Sequence, residues 1–260
     1  MYLPKLLAKA ARGEKLVALT CYDASFARLM VRCGIDILLV GDSLGMTVQG
    51  HASTLPVTLE QMVYHTAAVA RGAAGEGLIL ADLPFGSYQG SASQAFDSAA
   101  RLLAAGANMV KLEGGQVMAA TVRFLVERGI PVCGHLGLMP QSVNRTGYAP
   151  QGRDPPAAER LLEDAERLAE AGAQLLVLES IPAQLAQEVT RRLAIPTIGI
   201  GAGPHCGGQV LVLHDVLGLT PSPPRFARDF LTGAPSLEAA IAAYAEAVRT
   251  GTFPGPEHCL

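Results

Sequence analysis

Short, almost uninterrupted apolar runs recur along this chain, and one after another they finish on an ionisable side chain. Residues 36–42 end at Asp42, 77–82 at Asp82, 107–113 at Glu113, 130–135 at His135 and 173–179 at Glu179. Runs of this kind predict parallel strands covered on both faces, because a strand with one wet face would alternate apolar and polar residues. Residues 16–20, 195–200 and 209–215 add three more candidates. Between them lie stretches with helical spacing of apolar residues, at 59–71, 93–105, 116–128, 157–171 and 182–193. Several stop at a glycine suited to a left-handed cap: Gly72, Gly106, Gly129 and Gly172.

Strand, helix, strand is therefore the repeating unit, and eight strands is the number that closes a parallel barrel inside a ring of helices. An open doubly wound sheet uses the same alternation. The expected fold is an α/β single-domain (β/α)8 TIM barrel over residues 1–260, with 221–224 a loop before the last helical segment. No linker or low-complexity stretch divides the chain.

Composition narrows the functional classes. The chain is 50% hydrophobic and 17% charged with a net charge of -3, which favours a sizeable core over disorder. It gives no basic face for nucleic acid or an anionic membrane. No apolar run approaches the roughly 20 residues of a membrane span, and the start lacks the apolar core and cleavage pattern of a signal peptide. The five cysteines are scattered without Cys-x-x-Cys spacing, so neither a disulfide framework nor a structural zinc site is expected, and the cytoplasm is the expected compartment.

Only four of the 20 lysines and arginines are lysine, and three of those fall in the first fifteen residues. The fourth, Lys111, lies inside a strand candidate, where a buried ammonium is costly unless an anion meets it. Residues two apart share a strand face, so Lys111 goes with Glu113, Val40 with Asp42, Leu80 with Asp82, Cys133 with His135 and Val177 with Glu179. In a barrel the inward strand ends meet at the C-terminal mouth. Asp42, Asp82 and Glu113 would form an all-oxygen anionic group suited to Mg²⁺ rather than zinc, unless each aspartate only caps the following loop. His135 is either a hydrogen-bonded structural histidine or one that orients substrate, and Cys133 reads as a core thiol one layer deeper. Glu179, in the most hydrophobic setting, is a candidate proton acceptor; a salt bridge to Lys111 is the alternative. The glycines of 199–203 fit close backbone approach at the mouth better than a nucleotide loop.

Five strings carry a resemblance: VGDSLGMTVQGH at 40–51, ADLPF at 81–85, GANMVKLEGG at 106–115, CGHLGL at 133–138 and IGIGAG at 198–203. In this order they resemble the ketopantoate hydroxymethyltransferase family. The resemblance implies a (β/α)8 barrel that moves a one-carbon unit from 5,10-methylenetetrahydrofolate to the keto acid 3-methyl-2-oxobutanoate with Mg²⁺, as a homo-oligomer, usually a decamer. It implies that Asp42 and Asp82 hold the metal and contact substrate, that Glu113 is a further ligand or a partner of metal-bound water, that Ser43 and Lys111 grip the keto acid, and that Glu179 takes the proton. Gly207 stands where the family carries an aspartate, and no folate-binding residue is readable. A Mg²⁺-dependent lyase or mutase barrel is the nearest rival, although Pro131-Val132 replaces the lysine pair expected before the lyase cysteine. A non-catalytic keto-acid sensor is the other; it would need no base.

Overall fold

A computed structural model of the chain describes residues 2–259. Its strands are β1 (Leu16–Thr20), β2 (Ile37–Val40), β3 (Leu78–Asp82), β4 (Met109–Glu113), β5 (Val132–Gly137), β6 (Leu175–Glu179), β7 (Thr197–Ile200) and β8 (Gly208–Leu211). All pair in parallel in sequence order, and β8 returns to β1 to close the barrel. Every residue of β1 through β4 is buried, which explains why these runs show no polar alternation. The inward faces carry Leu16, Ala18, Ile37, Leu39, Leu78, Leu80, Met109 and Cys133 among others. The outward faces, with Leu38, Val40, Ile79, Ala81, Val110 and Leu112, pack under the helices.

The helices are α1 (Leu3–Ala11), α2 (Ala24–Arg32), α3 (Leu44–Thr47), α4 (Leu59–Ala73), α5 (Ala92–Ala104), α6 (Gln116–Glu127), α7 (Val143–Thr146), α8 (Pro155–Glu170), α9 (Ala183–Arg192), α10 (Leu213–Val216) and α11 (Leu237–Thr250). The five helices expected from periodicity agree within two residues at each end. Gly106, Gly129 and Gly172 have positive φ just past α5, α6 and α8, as expected. Gly72 does not cap: it lies within α4, and the left-handed cap is Ala74. Its reason is packing, because a Cβ at Gly72 would collide with the backbone of Ala24 on α2. The expected eighth strand is also shorter. β8 stops at Leu211 and the chain turns into α10, which carries Asp215 on a helix rather than a strand end.

α1 closes the bottom of the barrel. Leu6 is fully buried against the inward-facing strand residues, and Lys9 Nζ lies 2.7 and 2.8 Å from the two oxygens of Asp36. Asp36 also accepts the Val17 N–H at 3.0 Å, so one buried carboxylate ties α1 to β1 and to the start of β2. Leu6→Ala should destabilise the fold by about 2–5 kcal/mol through lost transfer and a residual cavity, measured by urea unfolding; an unchanged midpoint would mean that α1 is not part of the cooperative unit. All five cysteines are free. Among the described residues no helix is long and apolar enough to cross a membrane.

Candidate active site

A cavity of about 710 Å³ opens at the C-terminal ends of the strands, and it is bordered by Asp42, Ser43, Asp82, Lys111, Glu113, His135 and Glu179. All the site residues expected from sequence thus meet at one mouth. Five arrive by strand parity: Asp82 follows Leu80 inward on β3, Lys111 and Glu113 alternate on β4, and His135 and Glu179 are the last inward side chains of β5 and β6. Asp42 arrives by another route. Val40 faces the helices, so a continued strand would have carried Asp42 outward with it. The strand instead ends at Val40 and the chain turns at Gly41, where a Cβ would lie 2.8 Å from Ser43 Oγ. The Asp42 N–H then donates to Asp82 Oδ2 at 3.1 Å. Val40 and Asp42 therefore do not share a strand face, contrary to the expectation from their spacing.

One ammonium sits among four carboxylates. Lys111 Nζ is 3.0 Å from Asp82 Oδ1 and 3.3 Å from His135 Nδ1. Burial works against its charge, but Asp82, Glu113 and Asp42 outweigh it and the lysine's pKa is raised. Burial, reinforced by the charge of Asp82, pushes the Asp42 carboxyl up to about 7 against the pull of Lys111 and Gln141. Burial also raises Glu113 well above the usual carboxylate range and lifts Glu179 to about 7, with Lys111 opposing. His135 is driven the other way, by burial and by the Lys111 charge, and is neutral.

Neutrality fixes the histidine's geometry. With Lys111 donating to Nδ1, the proton lies on Nε2, which is 3.2 Å from Glu179 Oε2 although off the ideal hydrogen-bond direction. Lys111 is therefore the partner of Asp82, and Glu179 is the neighbour of His135; the Glu179–Lys111 salt bridge is not the arrangement. Cys133 lies below His135, fully buried, and its thiol is pushed up to about 12 by burial. It is an inert core residue.

The donor set fits a hard cation. Asp42 and Asp82 offer oxygens only, and the buried Asp82 Oδ1 faces the Lys111 ammonium at 3.0 Å. Among the described residues, no group of three or more His, Cys, Asp or Glu side chains is arranged to hold a metal ion; Mg²⁺ takes one or two carboxylates and fills its octahedron with water and substrate oxygens. Glu113 has one oxygen engaged: its Oε2 accepts the Gln141 N–H at 3.0 Å, while its Oε1 lies 3.6 Å from His135 Nδ1, which carries no proton to give it. Contact through water suits it better than direct ligation.

Several residues at the mouth carried no readable signal. Tyr22 OH is 2.9 Å from Ser43 Oγ. Ser180, directly after Glu179, holds φ +49, a left-handed conformation uncommon outside glycine. It is fixed by its own N–H to Ile200 O at 2.8 Å and by the Gln151 N–H to its carbonyl at 3.0 Å. Gln141 and Tyr88 connect the acidic side chains. The exposed side chains of Met46 on α3, Tyr148 after α7 and Leu219 after α10 rim the cavity. The glycine segment behaves as expected: a Cβ at Gly201, which has φ +60, would lie 2.6 Å from the Phe226 ring. Gly207 donates to Thr197 Oγ1 at 3.2 Å and does not border the cavity, so the departure there leaves the charged cluster intact.

Residues 1–256 match the sequence model of the family described as ketopantoate hydroxymethyltransferase. The chain is 59% identical over 259 residues to a 3-methyl-2-oxobutanoate hydroxymethyltransferase of Thiobacillus denitrificans, covering 99% of this chain and 98% of that one. It is 58% identical to the protein of the same name from Burkholderia multivorans, covering 98% and 94%. Among solved structures, a phosphoenolpyruvate phosphomutase from Streptomyces platensis subsp. rosaceus superposes with a TM-score of 0.64 at 15% identity, covering 84% of this chain and 83% of that one. A phosphonopyruvate hydrolase in complex with oxalate and Mg²⁺ superposes with a TM-score of 0.63 at 12% identity, covering 82% and 81%. At such identity the likeness is one of fold.

Proposed function

This chain belongs to the ketopantoate hydroxymethyltransferase family, and from that premise we propose that it transfers a one-carbon unit from 5,10-methylenetetrahydrofolate to 3-methyl-2-oxobutanoate, giving 2-dehydropantoate for pantothenate synthesis. The observation that carries this reading is a carboxyl group poised near neutral pH, Glu179, at the same mouth as the Lys111 ammonium, with neutral His135 between them.

The chemistry needs the C3 proton of the keto acid removed and the resulting enolate charge stabilised. In our reading Lys111 and Ser43 hold the carboxylate and keto oxygens, which places C3 toward Glu179. Glu179 takes the proton; a base with a pKa near 7 is ionised often enough and basic enough to do so. His135, with Nε2 3.2 Å from Glu179 Oε2, flanks the base and adds no positive charge that would make Glu179 a poorer acceptor. Lys111 meets the negative charge as it grows on the keto oxygen, in a site shielded from water where such a contact has its greatest effect. Asp42 and Asp82 would hold Mg²⁺, with Glu113 acting on a metal-bound water. When bound, the ion supplies Lewis-acid stabilisation of the keto oxygen.

The cavity is far larger than a small keto acid requires and falls in the roughly 300–1,000 Å³ range of drug-sized ligand sites. The remaining volume lies under the apolar rim, which suits the flat donor. Tyr148→Ala should raise KM for the folate roughly tenfold, about the effect of losing one aromatic contact and its buried area; an unchanged KM would place the donor elsewhere. Homo-oligomerisation, as a decamer, belongs to the same proposal and is tested by sedimentation velocity.

The decisive experiment needs no folate. The protein with Mg²⁺ should exchange the C3 proton of 3-methyl-2-oxobutanoate with deuterated water, followed by NMR. A keto-acid sensor or a bond-cleaving barrel gives no reason to expect this, and a complete lack of exchange would refute the proposed reaction.

A further inference from the structure

The side chain of Gln141 is hydrogen-bonded at both ends of its amide, and it belongs to no strand. It follows Pro140 in a single 3₁₀ turn, Pro140–Ser142, in the loop after β5, and is 6% exposed. Its Nε2 donates to Asp42 Oδ2 at 2.8 Å and to Leu83 O at 2.9 Å. Its Oε1 accepts from Tyr88 OH at 2.7 Å and from Gln89 Nε2 at 3.2 Å. Its backbone N–H donates to Glu113 Oε2 at 3.0 Å. Both amide protons and both carbonyl lone pairs are used, which is the full capacity of the group.

The two ends of an amide are similar in shape, so something must decide which end faces Asp42. Two groups decide it: Leu83 O, a backbone carbonyl that can only accept, at 2.9 Å from Nε2, and Tyr88, 1% exposed. The Tyr88 hydroxyl oxygen accepts the Glu113 N–H at 3.1 Å, and of the two acceptors in reach of its own proton, Gln141 Oε1 at 2.7 Å is much nearer than Glu113 O at 3.3 Å. With the Leu83 carbonyl, that contact turns the NH₂ of Gln141 toward Asp42. The chain Glu113 N–H, Tyr88 O–H, Gln141 amide, Asp42 carboxylate therefore runs in one direction only.

We propose that Gln141 is a positioning residue that holds one oxygen of Asp42 and one of Glu113, so that the other oxygen of Asp42 is presented directly, and that of Glu113 through a water, to a divalent cation in the cavity. A single residue on the loop after β5 thereby sets two carboxylates that originate on the β2 turn and on β4. The inference rests on the reading of Asp42 as a metal ligand. Partners of this kind, one step behind a metal's ligands, typically change affinity about 10–100-fold when removed.

The test uses Mn²⁺ as probe, with neither keto acid nor folate present, and reads the free ion by electron paramagnetic resonance. Failure of the wild-type protein to bind Mn²⁺ would refute the metal reading itself. Given wild-type binding, Gln141→Met, similar in length but unable to hydrogen-bond, should weaken Mn²⁺ affinity about 10–100-fold while circular dichroism shows a folded barrel. Tyr88→Phe, which removes only the orienting hydroxyl, should weaken it several-fold, and it should add little in the Gln141→Met background because both act through one chain. Wild-type Mn²⁺ affinity in folded Gln141→Met would overturn the proposal. Should that variant fail to fold, unchanged affinity in Tyr88→Phe would overturn it equally.

Discussion

Glu179→Gln should slow exchange of the C3 proton of 3-methyl-2-oxobutanoate into deuterated water by about 10²–10⁴-fold, with Mg²⁺ and keto-acid binding nearly unchanged. The amide has the shape of the carboxylate and can still face His135 Nε2, now 3.2 Å from Glu179 Oε2, so the architecture survives and the proton acceptor is lost. The pH dependence gives a second signature. Burial holds the Glu179 carboxyl at about 7, and the base works only when ionised. Wild-type exchange should therefore fall as pH drops through about 7 and level off above it. Saturating Mg²⁺ is required in this measurement, because Asp42 is also lifted to about 7 without a cation and a bound cation favours its ionised form. The residual exchange of the variant should lack the limb near 7. Wild-type rates in Glu179→Gln would remove Glu179 from the role of base and leave the family assignment untouched.

Much of this site was legible because a parallel barrel converts sequence parity into position. A run buried on both faces has one inward row, and for β3 through β6 the last inward residue that carries a side chain is Asp82, Glu113, His135 or Glu179, with Gly137 following His135 on β5. Parity misled at β2, where Gly41 breaks the strand before Asp42 and the turn, not the pleat, aims the carboxylate. It also extended β8 to Asp215, since apolar periodicity does not distinguish the end of a strand from the first turn of α10. Gly72 was misread because close helix approach and helix termination both call for glycine, and only the neighbouring Ala24 tells them apart. Gln141 and Tyr88 had no signal at all. They lie in loops, where no period applies, and their importance comes from hydrogen bonds spanning 99 residues between Gln141 and Asp42 and 53 between Tyr88 and Gln141. The lysine pattern also had a second cause: Lys9 ties α1 to Asp36, and Lys15 donates to the carbonyls of Pro204 and Cys206, at 3.2 and 2.5 Å. Lysine scarcity marks several structural attachments as well as the one at the mouth.

Lys111→Met should reduce exchange by about 10²–10³-fold, the typical cost of removing one preorganised group that meets developing charge, and its effect on stability should depend on pH in a definite direction. Methionine keeps the length and the apolar stem, so Met109, Cys133 and the rest of the inward row stay covered. The ammonium 3.0 Å from Asp82 is gone. Four acidic groups then face one another in a buried mouth with no cation, and breaking a buried ion pair from one side costs about 3–5 kcal/mol when the remaining charge cannot relax. Here it can relax by taking up protons. Asp42, Glu113 and Glu179 already hold protons more tightly than free carboxyls do, and loss of Lys111, which opposes all three shifts, raises them further. Between the ordinary carboxylate range and those raised values the native state binds more protons than the unfolded state, so stability must fall as pH rises. In EDTA the deficit of Lys111→Met relative to wild type should therefore be small at pH 5.5 and large at pH 8.5, read as the difference in Tm. Mg²⁺ should restore part of the loss at pH 8.5, because stabilisation by a ligand of the native state follows its affinity and concentration. A Tm deficit that is the same at both pH values and indifferent to Mg²⁺ would mean that Lys111 acts there by packing and not by charge, and the electrostatic account of the site would fail with it.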